Sequence, residues 1–586
     1  MSDLSPRFRF GDFELDVANY ELRCQGQPVH VERQPMDLLI LLLERRQRLV
    51  SRAEIAERLW GADVFTDVET GVNTAVRKIR RALNDSTDPP AFIETVPRKG
   101  YRFIADVRVV NDGGTEGEPA QVIVAVLPFE NLGAGVEREY LADGLTEETI
   151  LALGRIGREN FHVIGRRSVM VYKGGNKSLA TIGRELGATY IVENTLRGEN
   201  ERLRITSRLI RSYDQVKVWA ASYDSEPGSI LAFQRELSES IAEEIRLRLP
   251  PERLTALARR QTQNAEAYDL YLHGRHFWNQ STPPTTKRAI EYFTRATKVD
   301  SQYALAWAGL ADAYSASPVN GDAAPLAVTP PAHDAVVHAV SSDPGLAEVQ
   351  TSLGFLKFWL EWDWREAEEA YHRALSLDPS YPLAHRMLGI VLSHMGRHEP
   401  ASDSIRRARE LDPLYAMHHA LSAQIAFASR NYAAAVEFAT QATVVDPEFW
   451  IGYFQLAQVQ VQLRNTDAAL DALSRAGRLS GGNTKVIALR SYLFSQIGQI
   501  NEARQGLHAL EVISRERYIP PYAMALIHAG LDQMDQAMDN LEKAFEQRDV
   551  HLVFLPIDPK WDLLRSTARF ASILNRCGFL RAAENA

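Results

Sequence analysis

Seven cationic side chains are concentrated in a short part of this sequence, although the chain as a whole is acidic. The formal net charge is −9, yet no acidic residue occurs between Glu69 and Asp85. A guanidinium group can donate two parallel hydrogen bonds to a phosphate or to the edge of a guanine, and an ammonium group can neutralise a phosphate. Because local charge matters more than the total, this cluster indicates a nucleic-acid partner. The seven residues are Arg77, Lys78, Arg80, Arg81, Arg98, Lys99 and Arg102.

The element that must position the first four of these cations is a helix over residues 69–83. Apolar side chains recur there at helical spacing and predict one buried stripe, formed by Val72, Val76, Ile79 and Leu83. The opposite face is polar and cationic. A basic helix face is often only solvated, so the segment does not define a function alone. Its exposed residues are Thr70, Thr74, Arg77 and Arg81, with Asn73, Lys78 and Arg80 at the flanks.

A basic hairpin is predicted directly after this helix. Residues 92–96 and 101–105 alternate between apolar and polar side chains, and the turn between them places Arg98 and Lys99 at the tip. Upstream, residues 35–47 and 52–60 have helical patterns, and Ser51 is placed to cap the second helix. A helix sized for the major groove beside a basic hairpin predicts a winged helix-turn-helix that binds duplex DNA.

Residues 8–107 resemble the OmpR/PhoB-type winged-helix DNA-binding domain, including an opening block of short strands over residues 8–31. The segment IETVPRKGYRF, residues 93–103, closely matches that family's wing. The resemblance implies that the helix enters the major groove and that residues 61–68 contact RNA polymerase. We expect base-edge contacts from five residues of the helix, which are Thr70, Asn73, Thr74, Arg77 and Lys78. Arg80 and Arg81 are expected at phosphates, and Arg98 and Lys99 at the minor groove, with Arg102 completing the cationic set.

Length and composition predict several domains in a protein of the cytoplasm. A chain of 586 residues exceeds what one core supports. Its two cysteines, Cys24 and Cys577, support neither a disulfide framework nor a thiolate zinc site. No secretory signal is apparent, and apolar runs such as residues 38–43 are too short to cross a membrane. We therefore expect a cytoplasmic protein without a membrane partner.

A linker over residues 109–121 and an α/β module over residues 122–250 are predicted after the DNA-binding domain of residues 1–108. Strands are expected at residues 122–127, 161–164, 189–197, 202–210 and 217–223, and helices at residues 140–156, 179–186 and 230–249. The segments IVAVLPF, YLADGLT and IGRELGA resemble the TolB-N-terminal-like module. The resemblance leaves two roles open for this module, either a spacer or a domain for a ligand or partner.

An internal repeat organises residues 251–586. The Asp-Pro pairs at Asp378, Asp412 and Asp446 lie 34 residues apart (412 − 378 and 446 − 412), and the pair at Asp343 precedes them by 35 (378 − 343). A 34-residue period is typical of the tetratricopeptide repeat, a helix-turn-helix unit that stacks into a superhelix. We count about eight units between residues 267 and 549, with an insertion at residues 320–331 and a cap at residues 561–579. Such an array predicts a protein or peptide ligand.

Fragments that suggest catalysis do not assemble into an active site. The segment KGGNKS, residues 173–178, lacks the spacing of a phosphate loop, and no Pro-Cys-x-x-Cys follows His30. His418 and His419 lack a metal-binding spacing. We therefore predict neither a metal nor a cofactor and no enzymatic activity. A signalling enzyme with its chemistry in the α/β module is retained as an alternative.

The predicted fold is multidomain, with a winged helix-turn-helix of α+β class, a small α/β module and an all-α tetratricopeptide superhelix. Its domain order resembles that of HilA- and CadC-like regulators, without the membrane helix of the latter. The function predicted is transcriptional regulation by sequence-specific binding to promoter DNA, with RNA polymerase as a further partner and a homodimer on DNA left open. The competing prediction is a tetratricopeptide adaptor that does not bind specific DNA.

Overall fold

The structure is a computed structural model of the chain, and it divides into two compact units, Met1–Ala120 and Gln121–Ala586. The residues described are 7–17, 21–24, 27–29, 31–46, 48–60, 68–86, 90–97, 99–105, 107–110, 122–133, 139–155, 161–199, 202–225, 236–237, 240–241, 262–319 and 323–579.

The first unit combines two small antiparallel sheets with helices. Its elements are β1 (Arg7–Phe10), β2 (Phe13–Asp16), β3 (Glu21–Cys24), β4 (Gln27–Val29), α1 (Arg33–Glu44), β5 (Leu49–Ser51), α2 (Arg52–Trp60), α3 (Val68–Ala82), β6 (Ile93–Val96), β7 (Gly100–Phe103) and β8 (Arg108–Val110). One sheet has the order β4-β3-β2-β1-β8 and the other β5-β7-β6. This arrangement confirms the predicted winged helix-turn-helix.

The predicted core stripe of α3 is confirmed. Val72, Val76, Ile79 and Leu83 are at most 2% exposed, so the helix is anchored on one face and displays the other. Ser51 forms the predicted cap of α2, because its hydroxyl accepts from the Glu54 N–H at 3.2 Å while Glu54 Oε2 accepts from the Ser51 N–H at 2.8 Å. Hydrogen bonding of the Glu54 carboxylate to the backbone and side chain of Ser51 lowers the pKa of Glu54.

Two strands of the first unit were absent from the sequence prediction. β5 and β8 have three residues each, which is too short for a period-2 pattern to be seen. Each is held by its partner, since β5 pairs with β7 of the wing and β8 pairs with β1. The domain boundary at residue 108 remains a prediction, and β8 continues beyond it to Val110.

The second unit begins with a mixed sheet and three helices. Its elements are β9 (Val122–Val126), β10 (Glu130–Asn131), α4 (Glu139–Gly154), β11 (Phe161–Val163), α5 (Arg166–Met170), α6 (Leu179–Leu186), β12 (Tyr190–Glu199), β13 (Arg202–Arg211) and β14 (Lys217–Ser225). The strand order is β11-β9-β12-β13-β14, with β10 beside β12. The α/β prediction is confirmed here. Of the helix predicted at residues 230–249, only residues 236–237 and 240–241 are among those described.

Eight helix pairs follow in the described part of the chain. They are α7 (Ala265–Asn279) with α8 (Pro283–Val299), α9 (Ala304–Val319) with α10 (Pro325–Ser342), α11 (Ala347–Leu356) with α12 (Trp364–Leu377), α13 (Pro382–His394) with α14 (His398–Leu411), α15 (Ala416–Ala428) with α16 (Tyr432–Val445), α17 (Trp450–Gln462) with α18 (Thr466–Leu479), α19 (Thr484–Gln496) with α20 (Ile500–Ile513), and α21 (Pro521–Gly530) with α22 (Met534–Glu546). A π-helical turn, Lys357–Glu361, extends α11. Two 3-10 turns, Val550–Phe554 and Pro559–Trp561, precede α23 (Ala568–Arg576).

Residues 325–331, which belong to the insertion predicted at residues 320–331, form the start of a helix. Helix α10 begins at Pro325, where proline is tolerated because the first helical N–H groups have no partner, and it continues through Pro330 and Pro331. These two prolines remove hydrogen-bond donors. The helix persists because Val328, Ala332 and other apolar residues of α10 are buried against the array.

The α/β module packs directly on the helical array. Arg155 at the end of α4 forms a 2.7 Å ion pair with Glu348 of α11, and Arg275 of α7 pairs with Glu147. Further along the array, the backbone N–H of Ser168 donates to Asp412 Oδ1 at 2.6 Å. The module therefore spans the array from the first helix pair to the Asp-Pro turn after the fourth.

Residues 549–561, which we name the inner segment, lie against the first helices of several pairs. Phe554 contacts Trp359 of the π turn and His394 of α13, with ring centroids 6.2 and 5.2 Å apart. Lys560 Nζ donates to Gln458 of α17 at 2.6 Å, and the Trp561 indole donates to the Tyr522 hydroxyl of α21 at 2.7 Å. The inner segment therefore contacts the third, fourth, sixth and eighth helix pairs.

Candidate nucleic-acid interface

The exposed face of α3 carries two unpartnered arginines. Arg77 and Arg81 are exposed, and among the described residues the structure records no hydrogen bond or ion pair for either side chain. They line a cleft of about 380 Å³ together with Asn73, Arg80 and Tyr101. Guanidinium groups placed in this way are available for a phosphate or a guanine edge.

Asn73 is held by two neighbours from other elements. Its Oδ1 accepts from the Tyr101 hydroxyl of β7 at 2.8 Å and from Arg52 Nη1 of α2 at 3.1 Å. Arg52 Nη2 also donates to the Tyr101 oxygen at 3.3 Å, and its guanidinium lies 5.3 Å from the centre of the Tyr101 ring. The Asn73 side chain is exposed but fixed in orientation by these contacts.

Arg80 lies on the same helix but faces the wing. Its Nη2 donates to the Ile93 carbonyl at 2.6 Å and to the Thr95 hydroxyl at 2.9 Å, and its side chain is only 13% exposed. Asp85, which is fully buried at its carboxylate, accepts from the N–H groups of residues 91, 92 and 93 at 2.7, 3.1 and 2.9 Å. These contacts join α3 to β6.

Other cations of the predicted site have acidic partners. Lys78 Nζ lies 2.6 Å from Glu32 Oε2, and Arg102 Nη1 lies 3.1 Å from Glu94 Oε2. All four side chains are at least 38% exposed, so solvent screens both pairs and each is weak. A phosphate can therefore replace either carboxylate at small cost.

The wing tip is described in part. Lys99 is exposed, and its N–H donates to the Val96 carbonyl at 3.0 Å in the tight turn. Thr74 on α3 is half-buried. Arg98, residues 61–67 and the side chain of Thr70 lie outside the described residues.

Arg52 and Tyr101 were not selected from the sequence as site residues. The alternating pattern predicts only a strand at Tyr101, and the helical pattern predicts only the start of a helix at Arg52. The match of residues 93–103 to a known wing is the one signal in the sequence for Tyr101, because a family motif can include a functional hydroxyl that the alternation of apolar and polar residues does not show. The partnership of Arg52 with Asn73 involves contacts across 21 positions, which no local pattern indicates.

No group of three His, Cys, Asp or Glu residues able to hold a metal ion occurs in the part of the chain that the structure describes. Within the same ranges, no helix is both long and apolar enough to cross a membrane.

Comparison with known protein families gives matches to two types of domain. Residues 26–103 match the family described as "Transcriptional regulatory protein, C terminal". Residues 360–425 and 420–483 match tetratricopeptide repeat families. The first match covers α1, α2, α3 and the wing, and the second group covers the middle of the helical array.

Similar curated proteins include two named regulators and one named cyclase. The chain is 32% identical to "Putative adenylate cyclase 3" of Rhizobium meliloti, over 33% of this chain and 32% of that protein. It is 22% identical to "Transcriptional regulator HilA" of Salmonella typhi over 53% of each chain. It is 31% identical to "Transcriptional regulatory protein YxdJ" of Bacillus subtilis, over 16% of this chain and 41% of that protein.

The chain thus spans between about a third and about half the length of these relatives. The family matches agree with the fold on the type of the N-terminal domain and on the helical array. Residues 26–103 therefore form a domain of the transcriptional regulatory protein C-terminal family, with tetratricopeptide repeats further along the same chain.

Proposed function

We propose that this protein is a transcriptional regulator that binds specific promoter DNA through α3 and the wing. The observation that carries the proposal is the pair of exposed arginines, Arg77 and Arg81, on a helix whose opposite face is fully buried. In this pose α3 lies in the major groove, and Lys99, with Arg98, reaches the minor groove. Thr70, Thr74 and Lys78 remain candidate base contacts.

The helical array is proposed as the regulatory part. Its role is to receive a protein signal and to alter the output of the DNA-binding domain, with RNA polymerase and a second copy of the chain as further partners on DNA. The family matches over residues 360–425 and 420–483 support a scaffold of this kind. We propose that the module of residues 122–250, which resembles the TolB-N-terminal-like module, is a structural part of the helical array. It forms ion pairs and hydrogen bonds with several helix pairs.

We propose that regulation, and not catalysis, is the activity of the chain, and that it acts in the cytoplasm. The relative named as a putative adenylate cyclase is matched over 32% of its own length, so its name describes a protein of which this chain matches a minority. Incubation of the full chain with ATP tests this directly. Formation of a cyclic nucleotide at a rate that scales with protein concentration would replace the proposal with an enzyme.

The test of DNA binding uses the full chain and random-sequence duplexes, from which bound sequences are selected and sequenced. We expect one enriched motif, and affinity for it should fall with salt with a log–log slope of about −4 to −5 if roughly five phosphates are neutralised. If no motif is enriched and the affinity of the folded protein for DNA does not change with salt, the alternative of a tetratricopeptide adaptor without specific DNA binding is favoured.

A further inference from the structure

Asn73 is oriented by Arg52 and Tyr101 in a way that determines which hydrogen bonds it can offer to DNA. The guanidinium of Arg52 has only donors, so the Asn73 atom 3.1 Å from it must be the oxygen. The orientation of the amide therefore follows from chemistry.

Both lone pairs of this oxygen are used. Arg52 Nη2 donates to the Tyr101 oxygen, which leaves the hydroxyl proton of Tyr101 free to donate to Asn73 Oδ1 at 2.8 Å. Arg52 Nη1 supplies the second donor to the same oxygen. An amide oxygen accepts about two hydrogen bonds, so no acceptor capacity is left.

The amide nitrogen is the part of Asn73 that remains for a ligand. The Asn73 side chain is exposed beside the unpartnered Arg77, and the structure records no partner for Nδ2 within the ranges it describes. This nitrogen carries two N–H donors and no acceptor.

We propose that Asn73 reads DNA as a donor only, and that Tyr101 and Arg52 are the positioning residues that impose this restriction. The inference rests on the proposed function. An asparagine usually recognises adenine with two hydrogen bonds, donating to N7 and accepting from the 6-amino group. Here the second bond is blocked, so Asn73 selects a base that presents an acceptor, either purine N7, guanine O6 or thymine O4.

Tyr101 is well suited to this role because the wing strand holds it rigidly. Its side chain is 3% exposed, and β7 pairs with β5 and β6 on its two sides. The sheet therefore holds the Tyr101 hydroxyl in a fixed position beside α3. Removal of this hydroxyl frees one lone pair of Asn73 Oδ1.

The experiment compares the full-length wild-type protein with Asn73→Ala, Asn73→Asp and Tyr101→Phe in selections from random duplexes. The position whose base preference is lost in Asn73→Ala is the one that Asn73 contacts. Where adenine occupies that position, it is replaced by a purine without the 6-amino group. This replacement should change the affinity of the wild type by less than about two-fold, but should lower the affinity of Tyr101→Phe by about five-fold or more. Tyr213→Phe, at an exposed tyrosine of the other unit, is the matched control.

Asn73→Asp provides a second test that does not depend on a change in the wing. Its carboxylate still accepts from Arg52 and Tyr101, so melting should match the wild type, but it has no donor and should lose the same base preference as Asn73→Ala. Retention of that preference would overturn the inference. Dependence of the wild type on the 6-amino group, or an equal loss on all sequences in Asn73→Ala, would also overturn it. A wild-type protein that binds no duplex removes the proposed function, whereas binding with the wrong base chemistry removes only this inference.

Discussion

Arg77 and Arg80 lie three positions apart on α3 and yet serve different ends. Arg77 is exposed and unpartnered in the described structure, whereas Arg80 is tied to the Ile93 carbonyl and the Thr95 hydroxyl. The first has its donors available to DNA, and the second uses them to hold the wing against the helix. A basic residue in a DNA-binding helix is therefore assigned a role by its partners and not by its charge.

Substitution of Arg77 and of Lys99 should separate base reading from phosphate binding. Arg77→Ala should weaken binding to the selected motif by about 1–3 kcal/mol and affect random DNA less, because a bidentate base contact is lost. Lys99→Ala should weaken both by a similar factor and reduce the salt slope by about one. Titration of each variant with both DNAs at several salt concentrations measures this. Equal losses on the two DNAs for Arg77→Ala would assign that residue to phosphate.

At the scale of elements, α4 provides several of the contacts between the α/β module and the array. Glu147 and Glu148 are 7% and 5% exposed, where Arg275 of α7 pairs with the first and Tyr271 donates to the second at 3.3 Å. Burial raises the pKa of Glu147, but Arg275 and Arg166 lower it by more, so the pKa lies below its ordinary value. Burial raises the pKa of Glu148 to about 7, reinforced by Glu147 and Glu348 and opposed by Arg155 and Arg275.

This raised pKa predicts a pH-dependent stability that Glu148→Gln should remove. The contribution of protonated Glu148 to the free energy of unfolding is fully present below its unfolded pKa of 4.5. It is lost as pH rises through the folded pKa of about 7. Wild type should therefore lose up to about 3 kcal/mol relative to Glu148→Gln between pH 4 and pH 8. Denaturant unfolding at both pH values measures the difference, with the exposed Glu448→Gln as control.

Other groups titrate in the same range but cancel in this comparison. Burial lowers the pKa of His162, His385 and His394 to about 4, which favours the folded state as pH rises. Both proteins contain these histidines. An unchanged difference between wild type and Glu148→Gln from pH 4 to pH 8 would contradict a perturbed Glu148.

Regular elements could be predicted from the sequence, whereas their contacts could not. Period-3.6 spacing predicted α3 and the 34-residue spacing predicted the array, because both patterns are local and repeated. β10 and α5 are too short to produce such a pattern. The hydrogen bond from Ser168 to Asp412 joins residues 244 positions apart, and the network around Asn73 depends on three elements meeting, so neither leaves a periodic signal.

At the scale of the second unit, the inner segment does more than cap the last helix pair. The sequence predicted a cap over residues 561–579, and Trp561 does contact Tyr522 of the eighth pair. The same region also returns to the third pair, where Phe579 stacks on Trp364 with ring centroids 4.3 Å apart. An extended peptide that bound along Trp359, His394 and Gln458 would first have to displace the segment.

Trp561→Ala tests this placement, because it removes a fully buried side chain and should cost about 3–5 kcal/mol where the segment is docked. Amide hydrogen exchange should rise in α11, α13 and α17 as well as in α21, and a synthetic peptide of residues 549–565 should restore protection. Leu563→Ala, at a side chain that is 76% exposed, is the control. Faster exchange confined to α21, α22 and α23 would show that the region is only a terminal cap.

The docking of the α/β module also limits how this protein can evolve. Repeat arrays commonly gain or lose whole units, since each unit contacts only its neighbours. Here one module contacts α7 through Arg275, α11 through Glu348 and the turn after α14 through Asp412. Duplication or deletion of a unit between residues 275 and 412 would carry Asp412 away from Ser168 and leave its buried carboxylate without that partner. The contacts of the module at these three places therefore fix the number of repeats between them.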